Sequence, residues 1–250
     1  MTRPPAKSIT DLTLVRLIPN MLTLGAVCAG ITAIRFAVQG NYVVAVQLVL
    51  LAAVLDGIDG RVARYVGCDS QFGLELDSLA DFLNFGVTPA LIVYFWGMQD
   101  MGPFGWSVAL AFAICCILRL ARFNVSARDP SATAPASHFT GVPAPAGAFL
   151  ALAPLLLSFA FSDRPALPGI AVSLYMLFIG FLMVSRVPTP SFKSIRIARE
   201  NRLLAIIVVI AALVALAAFE WITLLSACAA YLASVLVAFV TELRRSDRCE

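Results

Sequence analysis

The chain has 250 residues, of which 60% are hydrophobic and only 13% are charged, and its mean hydropathy is +0.90. Such an apolar composition excludes an ordinary soluble domain and requires a lipid bilayer as the solvent. The net charge of +3 is too small to favour nucleic acid as a partner, and no basic stripe alternates with aromatic residues. The six cysteines form no CxxC pair, so neither a disulfide framework nor a zinc site is indicated.

Eight apolar stretches are close to the roughly 20 residues that a helix needs to cross a bilayer. In chain order they cover residues 20–38, 42–64, 73–96, 104–123, 142–161, 167–185, 202–219 and 221–240. We therefore expect an all-α, polytopic membrane bundle with a single domain over residues 1–250. That domain divides into a six-helix core (1–185) and a basic loop followed by two further helices (186–250). Because residues 1–19 are polar and the run after them is long enough to span, we expect the first span to persist rather than act as a cleaved signal.

The Lys and Arg residues are distributed unevenly between the two sides of this bundle. If the N-terminus is cytoplasmic, all of the 18 Lys and Arg residues except Arg35 and Arg164 lie at cytoplasmic helix ends or loops. Positive residues collect on the cytoplasmic side of membrane proteins. The distribution therefore predicts that both termini are cytoplasmic and that the protein is a multi-pass protein of the cell membrane.

Four aspartates interrupt the apolar pattern of the second and third predicted spans. Each would cost about 2.5–3.5 kcal/mol if it were ionised near the bilayer centre. The rise of an α-helix places Asp56 about 21 Å, and Asp81 about 22 Å, from the outer ends of their spans. Asp56 and Asp59, like Asp77 and Asp81, recur at intervals of three or four, so each pair lies on one helix face. The sequence therefore predicts an acidic cluster near the cytoplasmic interface.

Carboxylate oxygens that converge from facing helices are suitable ligands for hard cations, and two divalent ions would neutralise four such groups. The single histidine, His138, argues against a zinc or iron site. The alternative is that the aspartates form intramembrane salt bridges with Arg61 and Arg64. Two arginines cannot neutralise four acids, so a metal site is the better interpretation.

The segment DGIDGRVARYVGCDSQFGLELDSLAD, residues 56–81, resembles the signature of the CDP-alcohol phosphotransferases, D-x2-D-G-x2-A-R-x8-G-x3-D-x3-D. All eight fixed positions are present at the expected spacing: Asp56, Asp59, Gly60, Ala63, Arg64, Gly73, Asp77 and Asp81. The segment PNMLT, residues 19–23, and the order of the first six spans resemble the family more loosely.

This resemblance implies a role for each conserved position. The implied ligands of two divalent cations, Mg²⁺ or Mn²⁺, are Asp56, Asp59, Asp77 and Asp81, and Asp81 is also the implied general base. The implied binding residues for the CDP group are Asp56, Gly60, Ala63, Arg64, Gly73, Asn20 and Thr23. Two metals can bridge a diphosphate, and small residues let a nucleotide approach the helix backbone. Relatives with this fold are commonly homodimers, which we carry over as an expectation.

Three further segments resemble the branch of this family that accepts L-serine. They are NFGVTPA (84–90), RLARFNV (119–125) and FTGVPAPAGA (139–148). The implied substrates are then CDP-diacylglycerol and L-serine, reached from the bilayer and the cytoplasm. Because serine carries a carboxylate and an ammonium group, candidate binding residues are Arg119, Arg122, Asn124 and Arg186. These arginines could equally anchor helix ends and contact lipid phosphates.

Two other classes of function remain open from the sequence. The first is the same chemistry with another acceptor, such as glycerol 3-phosphate, inositol or choline. The second is a cation-coupled transporter, because intramembrane acids also mark ion pathways. A transporter would carry its acids near the midplane on broken or repeated helices, whereas these acids lie at one end of their spans.

Overall fold

A computed structural model describes residues 9–66, 71–127, 139–161, 167–185, 188–189, 207, 210–211 and 214–246. In chain order its elements are α1 (Ile9–Val38), α2 (Tyr42–Val66), α3 (Gln71–Asp81), a π-helical segment (Phe82–Val87), α4 (Thr88–Gly97), a 3₁₀ turn (Gln99–Met101), α5 (Pro103–Ala127), β1 (Phe139–Thr140), α6 (Ala144–Phe161), α7 (Gly169–Val184), β2 (Pro188–Thr189) and α8 (Glu220–Ser246). The prediction of an all-helical membrane bundle is confirmed, since within these ranges the two-residue strands are the only extended elements.

Six helical stretches are long and apolar enough to cross a membrane, and α3, the π-helical segment and α4 together form one of them. The helix α7 is equally apolar but has only 16 residues. Seven of the eight predicted spans therefore correspond to a described helical stretch. The predicted span 202–219 and the basic loop before it lie largely outside the described residues, although residues 214–218 are helical.

The helices α1 and α2 form an antiparallel hairpin closed by a short turn. Gly40 has φ +78°, and the amide of Asn41 donates to the carbonyl of Phe36, which is the pattern of a glycine-terminated helix. The side chain of Asn41 then accepts from the amide of Val44 and caps α2. Small buried residues, Ala26, Ala29, Ala33, Ala37, Ala45 and Ala52, let the two backbones approach closely.

The helix α1 begins earlier than predicted, at Ile9 rather than residue 20, and it contains Pro19. A proline removes one backbone donor from a helix, which is why the sequence favoured a start after it. The carbonyl of Pro19 accepts a hydrogen bond of 3.1 Å from the hydroxyl of Thr23 one turn later. At the other end of the chain, α8 continues to Ser246, beyond the predicted end at residue 240.

The third predicted span is a single stretch, but its hydrogen-bond ladder changes directly after Asp81. Residues Phe82–Val87 are π-helical, and the amide of Thr88 donates to the carbonyl of Leu83, five residues back. Pro89 has no backbone N–H, so a regular α-helical ladder cannot pass through this position. The wider turn rotates the residues after Asp81 relative to those before it, and places Asn84 against α1 at Gly30.

The core of the bundle lies between α4, α5, α6 and α7. Its largest fully buried side chains are Phe85, Ile92, Met98, Phe112, Leu150, Leu152, Leu155, Leu156, Met176, Ile179 and Met183. The helix α1 packs against α2, α3, the π-helical segment and α4, whereas α8 packs against α6 and β2. This arrangement makes α1 the common neighbour of the two helices that carry the four aspartates.

The contact between Gly30 and the π-helical segment gives a test of this packing. A Cβ atom at Gly30 would overlap the side chain of Asn84, which is fully buried and cannot move aside easily. We expect Gly30→Ala to lower the free energy of unfolding by about 1–3 kcal/mol, the usual cost of overpacking. Thermal unfolding of the purified protein in detergent measures this change.

Gly25→Ala on the same helix is the matched control. Its Cβ would lie 3.7 Å from Leu55 Cδ1, an ordinary contact. Since alanine favours a helix over glycine by up to about 1 kcal/mol, this variant should be neutral or more stable. Equal unfolding temperatures for Gly30→Ala and Gly25→Ala would contradict the close packing at Gly30.

Candidate active site

Three of the four predicted aspartates converge at one end of α2 and α3. One carboxylate oxygen from each of Asp56, Asp59 and Asp77 lies within 4.8 Å of the others. Asp59 is only 3% exposed, while Asp56 and Asp77 are half-buried. Both helices pack on α1, so the backbone of α1 holds the two acidic faces at a fixed separation.

The fourth aspartate, Asp81, joins the same cluster through Asp56. The side chains of Asp56 and Asp81 are in hydrogen-bond contact, and Asp81 also interacts electrostatically with Asp77. Two carboxyl groups at this separation repel each other unless a proton or a cation lies between them. The structure therefore brings together all four aspartates that the helical spacing placed on facing stripes.

Thr23 of α1 makes a hydrogen bond to this cluster that the sequence did not reveal. Its hydroxyl lies 2.6 Å from Asp59 Oδ2 and 3.1 Å from the carbonyl of Pro19, and it can donate to either of them. The family resemblance implies that Thr23 binds the nucleotide. That role stays a prediction, and the Thr23 hydroxyl also orients Asp59 through a contact between residues 36 positions apart, which no local signal in the sequence could indicate.

The donor set fits divalent cations. Every candidate ligand atom is a carboxylate oxygen, which is the type that Mg²⁺ and Mn²⁺ prefer. Asp59 Oδ1 is buried and has no hydrogen-bond partner among the residues that the structure describes. A buried, unpaired carboxylate oxygen is costly unless a cation binds it. The cluster therefore satisfies the chemical requirements of a metal site.

The remaining residues of the predicted nucleotide site lie on the same three helices. Gly60 is exposed on α2, and a Cβ atom there would meet nothing within 4 Å, so open space lies beside the cluster. Asn20 on α1 and Gly73 on α3 are half-buried. Ala63 and Arg64 belong to α2, but their side chains lie outside the described part of the chain.

Arg119 of α5 is a predicted acceptor-binding residue that interacts with the cluster. Its guanidinium interacts electrostatically with Asp81 and lies 5.9 Å from the ring centre of Phe123. Its Nε atom is buried and has no hydrogen-bond partner within the described ranges. An unpaired donor beside the acidic cluster is available to an anionic ligand.

Arg122 and Asn124, three and five residues further along α5, contact other helices. Arg122 Nη1 donates to the carbonyl of Val184 at 2.9 Å, and Nη2 donates to that of Ser185 at 3.3 Å, so its side chain caps α7. Asn124 Nδ2 donates to Ser78 Oγ on α3 at 2.9 Å. Of the two interpretations that the sequence left open for Arg122, these contacts favour the structural one. Arg186, the last candidate, lies outside the described residues.

The segment FTGVPAPAGA also supports the end of α7. Gly141 has φ +81°, and a Cβ atom there would lie 2.7 Å from the carbonyl oxygens of Met183 and Ser185. The amide of Val142 donates to the carbonyl of Leu182 at 3.3 Å. The glycine is required at this position because only glycine combines the left-handed conformation with such a close backbone contact.

Comparison with known proteins identifies the class to which this fold and site belong. Residues 16–185 match the family model for CDP-alcohol phosphatidyltransferase. The chain therefore belongs to the CDP-alcohol phosphatidyltransferase family and is an enzyme. Membership of a transferase family also decides against the alternative of a cation-coupled transporter.

Several curated relatives carry the same description, CDP-diacylglycerol–serine O-phosphatidyltransferase. The protein from Mycobacterium tuberculosis is 39% identical over 208 residues, which cover 82% of this chain and 72% of the relative. The protein from Helicobacter pylori is 39% identical over 183 residues, which cover 72% and 74% of the two chains. The protein from Bacillus subtilis is 32% identical over 185 residues, which cover 74% and 94%.

The contacts of Arg122 give a prediction for this site. Arg122→Ala removes the donors to the carbonyls of Val184 and Ser185, so we expect the free energy of unfolding to fall by about 1.5–3 kcal/mol, as for hydrogen bonds to charged groups. The Michaelis constant for the acceptor alcohol should change by less than about twofold, as expected away from the binding site. Thermal unfolding and steady-state kinetics measure the two effects.

Arg35→Ala, on the exposed face of α1, is the control for the loss of an arginine. It should leave both quantities unchanged. If Arg122→Ala instead kept the unfolding temperature and raised the Michaelis constant about tenfold, a difference of about 1.4 kcal/mol, Arg122 would belong to the acceptor site.

Proposed function

We propose that this enzyme transfers the phosphatidyl group of CDP-diacylglycerol to the hydroxyl of L-serine, producing phosphatidylserine and CMP. The observation that carries this proposal is the convergence of four carboxyl groups, Asp56, Asp59, Asp77 and Asp81, at one end of the helical bundle. The shared description of the relatives from three bacterial genera supports serine as the acceptor. Phospholipid synthesis is a reaction in which substrate and product both remain in the bilayer, which agrees with six spanning helices.

The four aspartates would hold two divalent cations, Mg²⁺ or Mn²⁺. Bound cations would supply positive charge to the diphosphate of the donor and to the departing CMP. Thr23 fixes the orientation of Asp59 by hydrogen bonding to Oδ2 and leaves Oδ1 available as a ligand. Of the two arginines in the alternative salt bridges, Arg61 is exposed on α2, and Oδ1 has no hydrogen-bond partner among the described residues.

The nucleotide would lie against the face of α2 where Gly60 opens onto free space. The absence of a side chain lets the diphosphate approach the helix backbone near the aspartates. Arg64, one turn further along, would pair with a phosphate, and Ala63, Gly73 and Asn20 would line the same region. These assignments follow from the family signature and from the placement of the residues on α1, α2 and α3.

Asp81 would act as the general base. It would accept the proton of the serine hydroxyl while the serine oxygen forms a bond to the phosphorus atom and the bond from phosphorus to the CMP oxygen breaks. Arg119, whose charge interacts with Asp81, would pair with the serine carboxylate and hold the hydroxyl near the base. Asn124 and Arg186 remain predictions as further serine ligands, whereas the contacts of Arg122 with the end of α7 favour the structural alternative.

The site would face the cytoplasm, where serine and CMP are dissolved. This orientation rests on the distribution of Lys and Arg between the two ends of the predicted spans. Both termini would then be cytoplasmic, and the protein would lie in the bacterial cell membrane. A homodimer remains a prediction from the family resemblance.

The proposed reaction predicts that CMP release depends on serine and on a divalent cation. Purified enzyme with CDP-diacylglycerol in detergent micelles should release CMP only when both L-serine and Mg²⁺ or Mn²⁺ are present, because the four carboxylates need compensating charge. Chelation should abolish release, and added metal should restore it. Chromatographic detection of CMP and of the lipid product measures the reaction.

Glycerol 3-phosphate, inositol and choline are the comparison acceptors. If one of them replaces serine as the efficient acceptor, the transferase chemistry stands but the serine assignment is wrong. Release of CMP at an undiminished rate in excess chelator would contradict the metal site itself.

Asp81→Asn is predicted to separate binding from turnover. Asparagine keeps the size of the side chain but cannot accept a proton at neutral pH, so we expect CMP release to fall by at least about 10²–10⁴-fold, the usual contribution of a general base. Binding of the cytidine nucleotide in the presence of metal should remain measurable by calorimetry, because three carboxylates are unchanged.

The matched control is Asp100→Asn, the same substitution at an exposed site in the 3₁₀ turn between α4 and α5. It should retain the activity of the unmodified enzyme. Activity close to that level in Asp81→Asn would exclude Asp81 as the base.

A further inference from the structure

Helix α8 lies beyond residues 16–185, the part of the chain that matches the family model, and the hydroxyl of its Tyr231 reaches the interior. On its inner face Cys228 and Val235 are buried, and Tyr231 lies between them at helical spacing. The hydroxyl oxygen of Tyr231 is buried and has no hydrogen-bond partner among the described residues. A tyrosine hydroxyl in this situation usually finds a partner, because burial without one costs about 1–3 kcal/mol.

Three contacts fix the position of α8 in the bundle, one of them to α2, which carries Asp56 and Asp59, and two to α6. Gln47 Nε2 on α2 lies 3.3 and 3.5 Å from the carboxylate oxygens of Glu220, the first residue of α8. The ring of Trp221 packs edge-to-face on Phe159 at 4.8 Å, and the thiol of Cys228 contacts the carbonyl of Phe149 at 3.5 Å. The first helical turn of α8 therefore lies level with the first part of α2.

Helix rise then gives the level of Tyr231. From Gln47 to Asp56 the helix α2 advances nine residues, or about 14 Å, and from Glu220 to Tyr231 the helix α8 advances eleven residues, or about 16 Å. Tyr231 therefore reaches the same level in the bundle as the aspartate cluster. The position of the hydroxyl agrees, since Tyr231 and Arg119 interact electrostatically, as do Arg119 and Asp81.

Arg119 thus connects Tyr231 with the aspartate cluster, because its guanidinium interacts electrostatically with both Tyr231 and Asp81. The Nε atom of Arg119 and the hydroxyl of Tyr231 are both buried and without a hydrogen-bond partner in the described part of the chain. A tyrosine oxygen can accept from a guanidinium N–H, but these two groups are not hydrogen-bonded to each other, and a carboxylate has two oxygens that can accept from both. The ring of Phe123, 5.9 Å from the guanidinium carbon, helps to hold Arg119 in place.

We propose that Tyr231 is a substrate-binding residue, whose hydroxyl donates to the carboxylate of the acceptor amino acid while Arg119 donates to its second oxygen. This inference rests on the proposed function, because it requires an acceptor that carries a carboxylate. Under this proposal α8 helps to bind the acceptor carboxylate, which the acidic signature residues on α2 and α3 cannot do. The same donors could instead bind a phosphate of the lipid nucleotide, and kinetics can distinguish the two anions.

Tyr231→Phe tests the assignment by removing only the hydroxyl. We expect the Michaelis constant for L-serine to rise about ten- to a hundredfold, the range for a lost hydrogen bond to a charged group. The Michaelis constant for CDP-diacylglycerol and kcat at saturating serine should stay within about twofold, because the donor site and Asp81 are unchanged. CMP release, measured with each substrate varied in turn, gives all three constants.

Tyr175→Phe is the matched control. The hydroxyl of Tyr175 donates to the carbonyl of Leu150 at 3.0 Å within the α6–α7 contact, so its loss should leave the serine constant unchanged. Thermal unfolding of both variants shows whether each protein is folded at the assay temperature. An unfolded Tyr231→Phe protein would mean that the hydroxyl stabilises the bundle, which contradicts the assignment.

The outcomes also separate this inference from the proposed function. If unmodified enzyme releases CMP with serine but Tyr231→Phe has an unchanged serine constant, only the role of Tyr231 is wrong. If Tyr231→Phe raises the constant for CDP-diacylglycerol instead, the two donors bind the lipid phosphate. If unmodified enzyme does not use serine at all, the proposed function fails first, and the role of Tyr231 fails with it.

Discussion

Mutual repulsion among four carboxyl groups is the constraint on which the rest of this structure depends. Asp56, Asp59 and Asp77 have oxygens within 4.8 Å of one another, and Asp81 contacts Asp56. In water the repulsion among these carboxylates would be screened. Within an apolar bundle the repulsion is strong, so the negative charges must be compensated. A protein that keeps this arrangement has to hold it rigidly and supply opposite charge, which is the property that a cation-dependent phosphoryl-transfer site needs.

The rigidity comes largely from α1. Small residues along α1 allow close approach of α2, Thr23 orients Asp59, and Gly30 gives space to the π-helical segment directly after Asp81. Irregular backbone inside a membrane protein is tolerated when it is buried in protein, and here the π-helical turn is packed against α1, α5 and α6. Features that contribute no ligand therefore set the distances among those that do.

Two arginines of α5, Arg119 and Arg122, make different kinds of contact in the folded chain. Arg119 and Arg122 are three residues apart and belong to one segment, RLARFNV, so neither composition nor spacing separates them. In the folded chain Arg122 satisfies two carbonyls at the end of α7, whereas Arg119 has a buried Nε without a partner in the described residues and interacts with Asp81. The last carbonyls of a helix have no partner within the helix and need hydrogen bonds inside a bilayer. An arginine within reach donates to these carbonyls and is then not available to a ligand.

The sequence by itself determined the membrane class, seven of the spans that the structure describes, and the two acidic stripes. These depend on apolar length and helical period, which are local properties of the chain. Only the tertiary structure decided that Thr23 bonds Asp59, that Arg122 caps α7, and that Tyr231 comes level with Asp56. Each of these contacts joins residues far apart in the chain, and side-chain partners across helices depend on helix rotation and depth that no local pattern encodes. The π-helical turn is intermediate, since Pro89 marks a break in the ladder but its form is decided by the packing around Asn84 and Gly30.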